Sequence, residues 1–381
     1  MHEASRPVVV FSGGGTGGHL YPALALADAL RRVRPGIRCY FVGAAGGLEA
    51  RVLPERGLEH LLLPVRGLRR GRRLAALRAA PALAASLLRV VRLFRSLRPD
   101  VVVVTGGYAG GPAGIAAGAL RIPLVVQEQN AVPGITVRTL SRWATQVHLA
   151  FSEAAALLPV AARSRVRISG NPVRSTAGVA RPVARRALGF PEEAAVILIT
   201  GGSQGAVAVN QAVLDVVAGV ESGALAPEEG VHLLWVTGPA NHPGVVTELN
   251  RLGDPEWVHA IPYAQDMPAA MAAADVAVSR AGAMTTAELL NHGLPSVLIP
   301  LPTAAANHQA RNAQALQEAG AAVLIPEATL TGADLWQRLV GLLGDPDLRA
   351  RMGAAARTRA RPDAAEEIAA AITDLLPGGD S

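Results

Sequence analysis

The chain has 381 residues, half of them hydrophobic, 3% aromatic, with a formal net charge of +6. At roughly 150 residues per domain that is enough for two domains with substantial cores, which excludes wholesale disorder and an aromatic stacking platform for nucleic acid. Cys39 is the only cysteine and all 36 basic residues are arginine, so disulfide frameworks, cysteine–zinc sites, Walker-A lysines and Schiff bases are excluded.

The elements follow in chain order. Met1–Pro7 is polar and carries no secretory signal, which points to the cytoplasm. Val8–Phe11 reads as a strand, followed by a glycine loop and a helix from about Leu20 to Arg32. Strands are expected at Cys39–Val42, Val101–Val104, Leu124–Gln127 and Val166–Ser169, with helices between them. Past Asn171-Pro172 the rhythm restarts: strand Val196–Thr200, a glycine loop, and a helix near Ala206–Val217. Strands at Leu233–Val236, Val258–Ile261, Val276–Val278, Val297–Ile299 and Ala322–Ile325 complete the second set, and a last helix falls near Asp363–Leu376. Continuous apolar runs imply strands covered on both faces. The fold class is therefore α/β, two doubly wound parallel-sheet domains. Val101–Leu120 and Ala194–Leu214 are charge-free over about a membrane's thickness, but glycines break both and neither reads as a spanning helix.

Charge divides the chain as the strands do. Residues 1–190 carry 27 Arg against 8 acidic residues, and residues 191–381 carry 9 Arg against 22. The basic half suits an anionic partner (a membrane surface, a phosphorylated substrate, or nucleic acid); compositional drift with attraction between the halves is the plainer alternative. Arg66–Arg98 holds ten Arg and no acid. Within it, Leu83, Leu87, Val90, Val91 and Phe94 keep helical spacing and suit a core. Leu68, Arg69, Arg70, Arg72, Arg73, Leu74, Leu77 and Arg78 form either a patch for anionic lipid, at about 1 kcal/mol per Arg near the surface, or a solvated basic face.

Gly13–His19, GGGTGGH, follows the first strand and opens a helix, so it formally contains the dinucleotide fingerprint. The second strand ends Val42-Gly43-Ala44-Ala45 without an acid for the ribose, which argues against NAD. What remains is a glycine-lined helix start able to approach an anion. His19 at its mouth is either a base or a bystander. Gly106–Pro112 repeats the design, and Gln127–Asn130 ends the next strand, so three loops converge at the carboxyl edge of one sheet. Gly201–Gly205, GGSQG, matches the nucleophile elbow. A hydrolase would use Ser203 with Asp266 or Asp275 and His292 or His308; the other reading is a phosphate-binding helix start. Ser279–Glu288 brings Arg280 and another helix start to the same edge, with Glu288 either dipole decoration or a ribose acceptor. Asn307-His308-Gln309 opens a further helix. A third class, a non-enzymatic anion- or membrane-binding scaffold, stays open on residues alone.

Taken together, GGTGGH at Gly14–His19, GGY…GP at Gly106–Pro112, EQNAVPG at Glu128–Gly134, GNPVR at Gly170–Arg174, GGSQGA at Gly201–Ala206, the RAGAMTTAE run and NHQ…NA at Asn307–Ala313 resemble the MurG family in order and over nearly the whole chain. The resemblance implies the GT-B fold, two Rossmann-like domains facing across a cleft. It implies an acceptor and membrane-binding domain at 1–170, a UDP-sugar domain at 171–360, and a helix at 361–381 packing back on the first. The implied activity is inverting transfer of GlcNAc from UDP-GlcNAc to the C4 hydroxyl of the muramoyl sugar in undecaprenyl-diphospho-MurNAc-pentapeptide (lipid I to lipid II). That is peptidoglycan synthesis, tied to cell shape and division, at the cytoplasmic face of the inner membrane.

Carried over by resemblance, catalysis falls to His19, Glu128 and Arg280, with His19 preferred over Glu128 as base. Donor contacts fall to Thr16, Gly17, Gly18, Asn130, Arg174, Ser203, Gln204, Tyr263, Ala264, Ala283, Met284, Thr285, Glu288, His308 and Gln309. Acceptor contacts fall to Gly14, Gly15, Tyr108 and Asn130. No metal and no cofactor beyond the UDP-GlcNAc substrate are expected, helix dipoles and Arg280 meeting the leaving charge. The partners implied are lipid I, an anionic membrane surface and other cell-wall and division proteins, with no nucleic acid. Two positions depart from the family pattern: Gln127 stands where His is usual, and Gly110 where Ser is usual.

Overall fold

The computed structural model describes residues 6–15, 17–65, 73–173, 179–202 and 205–378, the side chains of 73–80 excepted. The chain divides into two compact units, Met1–Arg174 with Pro362–Ser381, and Ser175–Arg361. In chain order the first contains β1 (Val8–Gly14), α1 (Gly17–Val33), β2 (Arg38–Ala44), α2 (Glu49–Glu55), β3 (His60–Leu63), α3 (Arg73–Leu97) and β4 (Val101–Gly106). It continues with α4 (Gly107–Leu120), β5 (Leu124–Glu128), α5 (Ile135–Leu140), β6 (Gln146–Leu149) and β7 (Val166–Ile168).

Its seven strands are all parallel, in the order β3-β2-β1-β4-β5-β6-β7. Every residue of β1 and β4 is buried, as expected of strands covered on both faces. The order reverses between β1 and β4. In such a sheet the carboxyl ends of the two strands at the reversal splay apart and leave a binding crevice.

Two strands escaped the sequence reading. In β6, Gln146 and His148 interrupt the apolar run, and both are buried. Gln146 Nε2 donates to Ala371 O at 2.9 Å, while His148 bonds Ser169 Oγ at 2.8 Å and Gln146 Oε1 at 3.1 Å. Buried polar side chains with hydrogen-bond partners elsewhere in the unit hide a strand from an apolar-run search. β3 is an edge strand, short and half-buried. The Gly106–Pro112 segment is not a loop: β4 ends at Gly106 and α4 begins at Gly107. Val101–Leu120 is thus a strand and a helix, and no helix among the described residues is long and apolar enough to cross a membrane.

The second unit contains α6 (Arg181–Ala187), β8 (Ala195–Thr200), α7 (Val207–Glu221), β9 (Val231–Val236), α8 (His242–Arg251), β10 (Val258–Ile261) and α9 (Met267–Ala273). Then come β11 (Val276–Ser279), α10 (Ala283–His292), β12 (Ser296–Leu298), α11 (His308–Glu318), β13 (Ala322–Leu324), α12 (Gly332–Gly344) and α13 (Pro346–Arg359). Its six parallel strands run β10-β9-β8-β11-β12-β13, reversing between β8 and β11. The last helix, α14 (Ala364–Thr373), belongs to the first unit. Ile368 and Ile372 are wholly buried in one cluster with Leu26 and Leu30 of α1, and Arg32 pairs with Glu366 at 2.7 Å.

Candidate active site

At the β1/β4 reversal the backbones approach too closely for side chains. Gly106 and Gly107 have φ of +100° and +74°. An added Cβ on Gly107 would sit 2.0 Å from Gly14 O, and one on Gly106 would sit 2.9 Å from His19 Nδ1. Those absences bring His19, in the first turn of α1, against the end of β4. Its Nδ1 lies 2.9 Å from Thr105 O and 3.1 Å from Gln129 Oε1. Both partners are acceptors, so Nδ1 carries the proton and Nε2 carries the lone pair. Nε2 has no hydrogen-bond partner among the described residues. Desolvation pushes the imidazole pKa below its usual value, with the bonds from Gln129 and Thr105 and the charge of Glu49 pulling the other way.

The sequence reading missed Glu49. It is fully buried at the start of α2, and its carboxylate accepts from Gly15 N at 2.8 and 3.1 Å and from Ala44 N at 2.7 Å. A Cβ on Gly14, Gly43 or Gly47 would fall 1.9–2.5 Å from that side chain. The glycines therefore make room for a carboxylate, and the Gly15 amide, expected at an anion, is occupied by Glu49. The signal available was a lone acid after a second glycine-rich strand end.

Glu128 is buried too. It accepts from Asn130 N at 3.0 Å, Asn130 Nδ2 at 3.1 Å and Gly134 N at 2.8 Å, which shapes the Asn130–Gly134 turn. Burial raises its pKa, with those bonds opposing. A carboxylate with both oxygens engaged in its own loop is a poor proton acceptor for a substrate, so the geometry favours His19. The half-exposed rings of Tyr108 and Tyr21 lie against Gly15 and Gly17, where added Cβ atoms would come 3.1 Å from them. Tyr108 was expected here; Tyr21 was not.

In the second unit, strand carboxyl ends again gather the expected residues. Gly205 (φ +76°) closes the loop after β8, where a Cβ would lie 2.2 Å from Thr237 O. Asn210 in α7 donates to Thr237 O at 2.9 Å and accepts from Trp235 Nε1 at 3.0 Å, pinning the helix start to the end of β9. Ala283, Met284 and Thr285 form the first turn of α10, whose Gly282 cap supplies no side-chain bond. Helix starts of this kind present a positive dipole end that favours phosphates. Glu288, half-buried, lies one turn further along. Tyr263 is about half exposed just past β10, beside buried Ala264. His308 Nδ1 bonds Ala305 O at 2.6 Å, and Gln309 Oε1 accepts from Leu301 N at 2.9 Å. Ala306 and Asn307, just before α11, both adopt φ of +57°, left-handed backbone that non-glycine residues hold at a cost.

Arg280 departs from expectation. Its guanidinium is buried, donating to Ile299 O at 3.1 Å and Pro300 O at 3.3 Å and pairing with Glu327 at 2.5 Å. A cation so committed ties the ends of β11 and β12 together and is not presented to a leaving group. Thr16, Arg174, Ser203, Gln204, Leu68, Arg69, Arg70 and Arg72, together with the side chains of Arg73, Leu74, Leu77 and Arg78, lie outside the described residues.

The hydrolase arrangement fails on topology. Asp275 precedes β11, bonds Val196 N at the start of β8 and pairs with Arg185 at 2.6 Å. It is therefore at the amino edge of the sheet, and Ser203 follows the carboxyl end of β8. A strand of β8's length, at about 3.3 Å per residue, puts Asp275 roughly 15–20 Å from the carboxyl end of β8, the end that precedes Ser203 in the sequence. His292 ends α10, remote from the helix start, and Asp266 caps α9 by accepting from Ala269 N. The chain's one Asp-x-Asp spacing, Asp345-Pro346-Asp347, is likewise a cap, with Asp345 accepting from Leu348 N at 2.8 Å. Two separate sheets, one per unit, replace the single sheet that a hydrolase needs.

Comparison with known proteins gives the same picture. Residues 9–149 match the glycosyltransferase family 28 N-terminal domain and residues 196–368 match the glycosyltransferase family 28 C-terminal domain. A UDP-N-acetylglucosamine–N-acetylmuramyl-(pentapeptide) pyrophosphoryl-undecaprenol N-acetylglucosamine transferase from Salinibacter ruber is 42% identical over 370 residues, covering 97% of each chain. The like-named protein of Desulforudis audaxviator is 42% identical over 380 residues, 97% of this chain and 99% of that one. Among solved structures, Acinetobacter baumannii MurG superposes with a TM-score of 0.76 at 28% identity, covering 97% and 99% of the two chains. A UDP-N-acetylglucosamine 2-epimerase of solved structure (TM-score 0.61, 17% identity, 97% and 96% covered) shares the fold alone.

Proposed function

The chain belongs to glycosyltransferase family 28 and, within it, to the MurG family, and on that premise we propose that it moves GlcNAc from UDP-GlcNAc to the C4 hydroxyl of the muramoyl sugar of a lipid-diphosphate acceptor, converting lipid I to lipid II. The observation that carries the chemistry is His19, with a protonated Nδ1 held by two acceptors and Nε2 left as the base.

In the proposed step the acceptor oxygen gives its proton to His19 Nε2 and attacks the anomeric carbon of the donor. The carbon–oxygen bond to the diphosphate breaks and UDP leaves, so the configuration at that carbon inverts. General-base assistance of this kind supplies roughly 10²–10⁴-fold. The charge on departing UDP is met by the helix starts of α7 and α10, preorganised amides that need no rearrangement during the reaction. Glu288 is assigned to the ribose hydroxyls, Tyr263 and Ala264 to the uracil, and His308 and Gln309 to the sugar. The strong positive charge of residues 1–190 supports peripheral association with an anionic membrane at its cytoplasmic face.

His19→Ala is expected to lower kcat by 10²–10⁴-fold while UDP-GlcNAc affinity, measured by calorimetry, stays within two-fold or so. Near-normal turnover would remove His19 from the mechanism. Glu288→Ala should do the reverse, weakening the donor about ten-fold or more, as loss of a charged hydrogen-bond partner does.

A further inference from the structure

Behind His19 lies a row of buried amides that the chemistry above does not use. Gln127, Gln129 and Asn171 are each at most 3% exposed. Asn171 Nδ2 donates to Gln129 O at 3.1 Å. A backbone carbonyl only accepts, so that bond fixes which way the Asn171 amide faces and turns Oδ1 toward Gln127, whose Nε2 donates to it at 3.2 Å. Gln127 Oε1 must then face Gln129 Nε2, to which it is closely bonded. Gln129 Nε2 also donates to Thr105 O at 2.8 Å. With its nitrogen fixed from both sides, Gln129 turns Oε1 to the His19 ring. The hydroxyl of Thr105 closes the set by donating to His19 O at 2.7 Å.

We infer that Asn171, Gln127 and Gln129 form a positioning relay that gives His19 Nδ1–H its second acceptor and so aims Nε2 at the acceptor hydroxyl. The inference rests on the reading of His19 as base. The network joins three strand ends to one helix start: β4 through Thr105, β5 through Gln127 and the following Gln129, and the segment after β7 through Asn171, with α1 reached through His19. None of the three amides touches a substrate in this assignment; each acts through the imidazole. An acceptor on the far ring nitrogen raises the basicity of the near one and restricts ring rotation. Glu49 on α2 is the charged group that acts on His19, and the titratable rings of Tyr21 on α1 and Tyr108 on α4 lie against Gly17 and Gly15. All three remain in every variant below.

The test is Gln129→Met, Gln127→Met and Asn171→Leu in the full chain, each assayed for kcat, donor KM and pH profile, with His19 titrated directly by NMR of imidazole-labelled protein. The expected order is a fall in kcat of about ten-fold for Gln129→Met and a smaller fall for the two outer members. Donor KM is expected to hold, with the His19 titration and the acid limb of the profile both moving to lower pH. A lesion of packing alone would reduce the rate without moving either. In a His19→Ala background the relay variants should cause no further loss, since their effect passes through the ring. An unmoved His19 titration in Gln127→Met overturns the relay, and Asn171→Leu supplies the same reading if that variant does not fold. Should His19→Ala retain turnover while the titration still shifts, the relay stands and the assignment of the base fails.

Discussion

A histidine that takes a proton from a sugar hydroxyl must be neutral when the substrate arrives. Burial of His19 does this, since desolvation holds its pKa below 6.5 against the opposing pull of Gln129, Thr105 and Glu49. The imidazole is the active form when unprotonated, so the acid limb of kcat/KM is expected below pH 6.5, and a limb above 6.5 would contradict the assignment. His148 shows the same physics without a catalytic role: burial lowers its pKa to about 4. Unfolding returns that histidine to about 6.5, so the unfolded chain binds the extra proton between the two values. Stability from the neutral form is then complete above pH 6.5 and lost as pH falls toward about 4, on the order of 3 kcal/mol in all. Urea unfolding of wild type should weaken from pH 7 to pH 5, and His148→Gln should flatten that dependence. His19 and the glycine run before it were legible in the sequence because a helix start with a ring beside it is a local pattern. Glu49, Gln127 and Asn171 were not legible, because what they do depends on strands that meet only in the sheet.

Helices and strands explain the rest of the site's placement. α4 carries Gly110, Gly114 and Gly118 four residues apart, where added Cβ atoms would lie 2.7 Å from Val104, 2.3 Å from Leu140 and 2.6 Å from Trp143. One face of the helix is pared to backbone so that β4 and the α5 region can close on it. Gly110 is part of that close approach, and a hydroxymethyl group there would need Val104 to move. Gly107→Ala combines positive φ with a collision against β1, and it is expected to cost on the order of 3 kcal/mol or more and to displace His19. Calorimetric stability within 1 kcal/mol of wild type would contradict that packing. α14 is held by apolar contact with α1, so Ile368→Ala should destabilise the first unit by about 2–5 kcal/mol, read as earlier hydrogen exchange in α1 and β1. Apolar runs revealed most strands; they failed at the half-buried edge strand β3 and at β6, where buried polar side chains bond partners distant in the chain. The start of α4 was misread because glycines that serve packing resemble glycines that serve a turn.

Two sheets of the same handed winding sit in one chain, and each places its loops at the carboxyl edge where the strand order reverses. Under the proposed function the two units take separate duties, a base in the first and helix starts for a diphosphate in the second. UDP is therefore expected to protect amides around Gly205–Val209 and Ala283–Thr286 in hydrogen exchange. At 100 times its Kd it should stabilise the second unit by about 2.7 kcal/mol. Protection confined to Gly13–Leu20 would reverse the assignment of duties.

The same fold also serves a UDP-N-acetylglucosamine 2-epimerase, so fold alone leaves the fate of the sugar open. The decisive measurement is product analysis with UDP-GlcNAc in the presence and absence of a lipid-diphosphate muramoyl acceptor. UDP release that requires the acceptor, matched mole for mole by a β1→4-linked disaccharide on the lipid, is the predicted result. UDP release at the same rate without acceptor, or recovery of the 2-epimer of the donor, would contradict it.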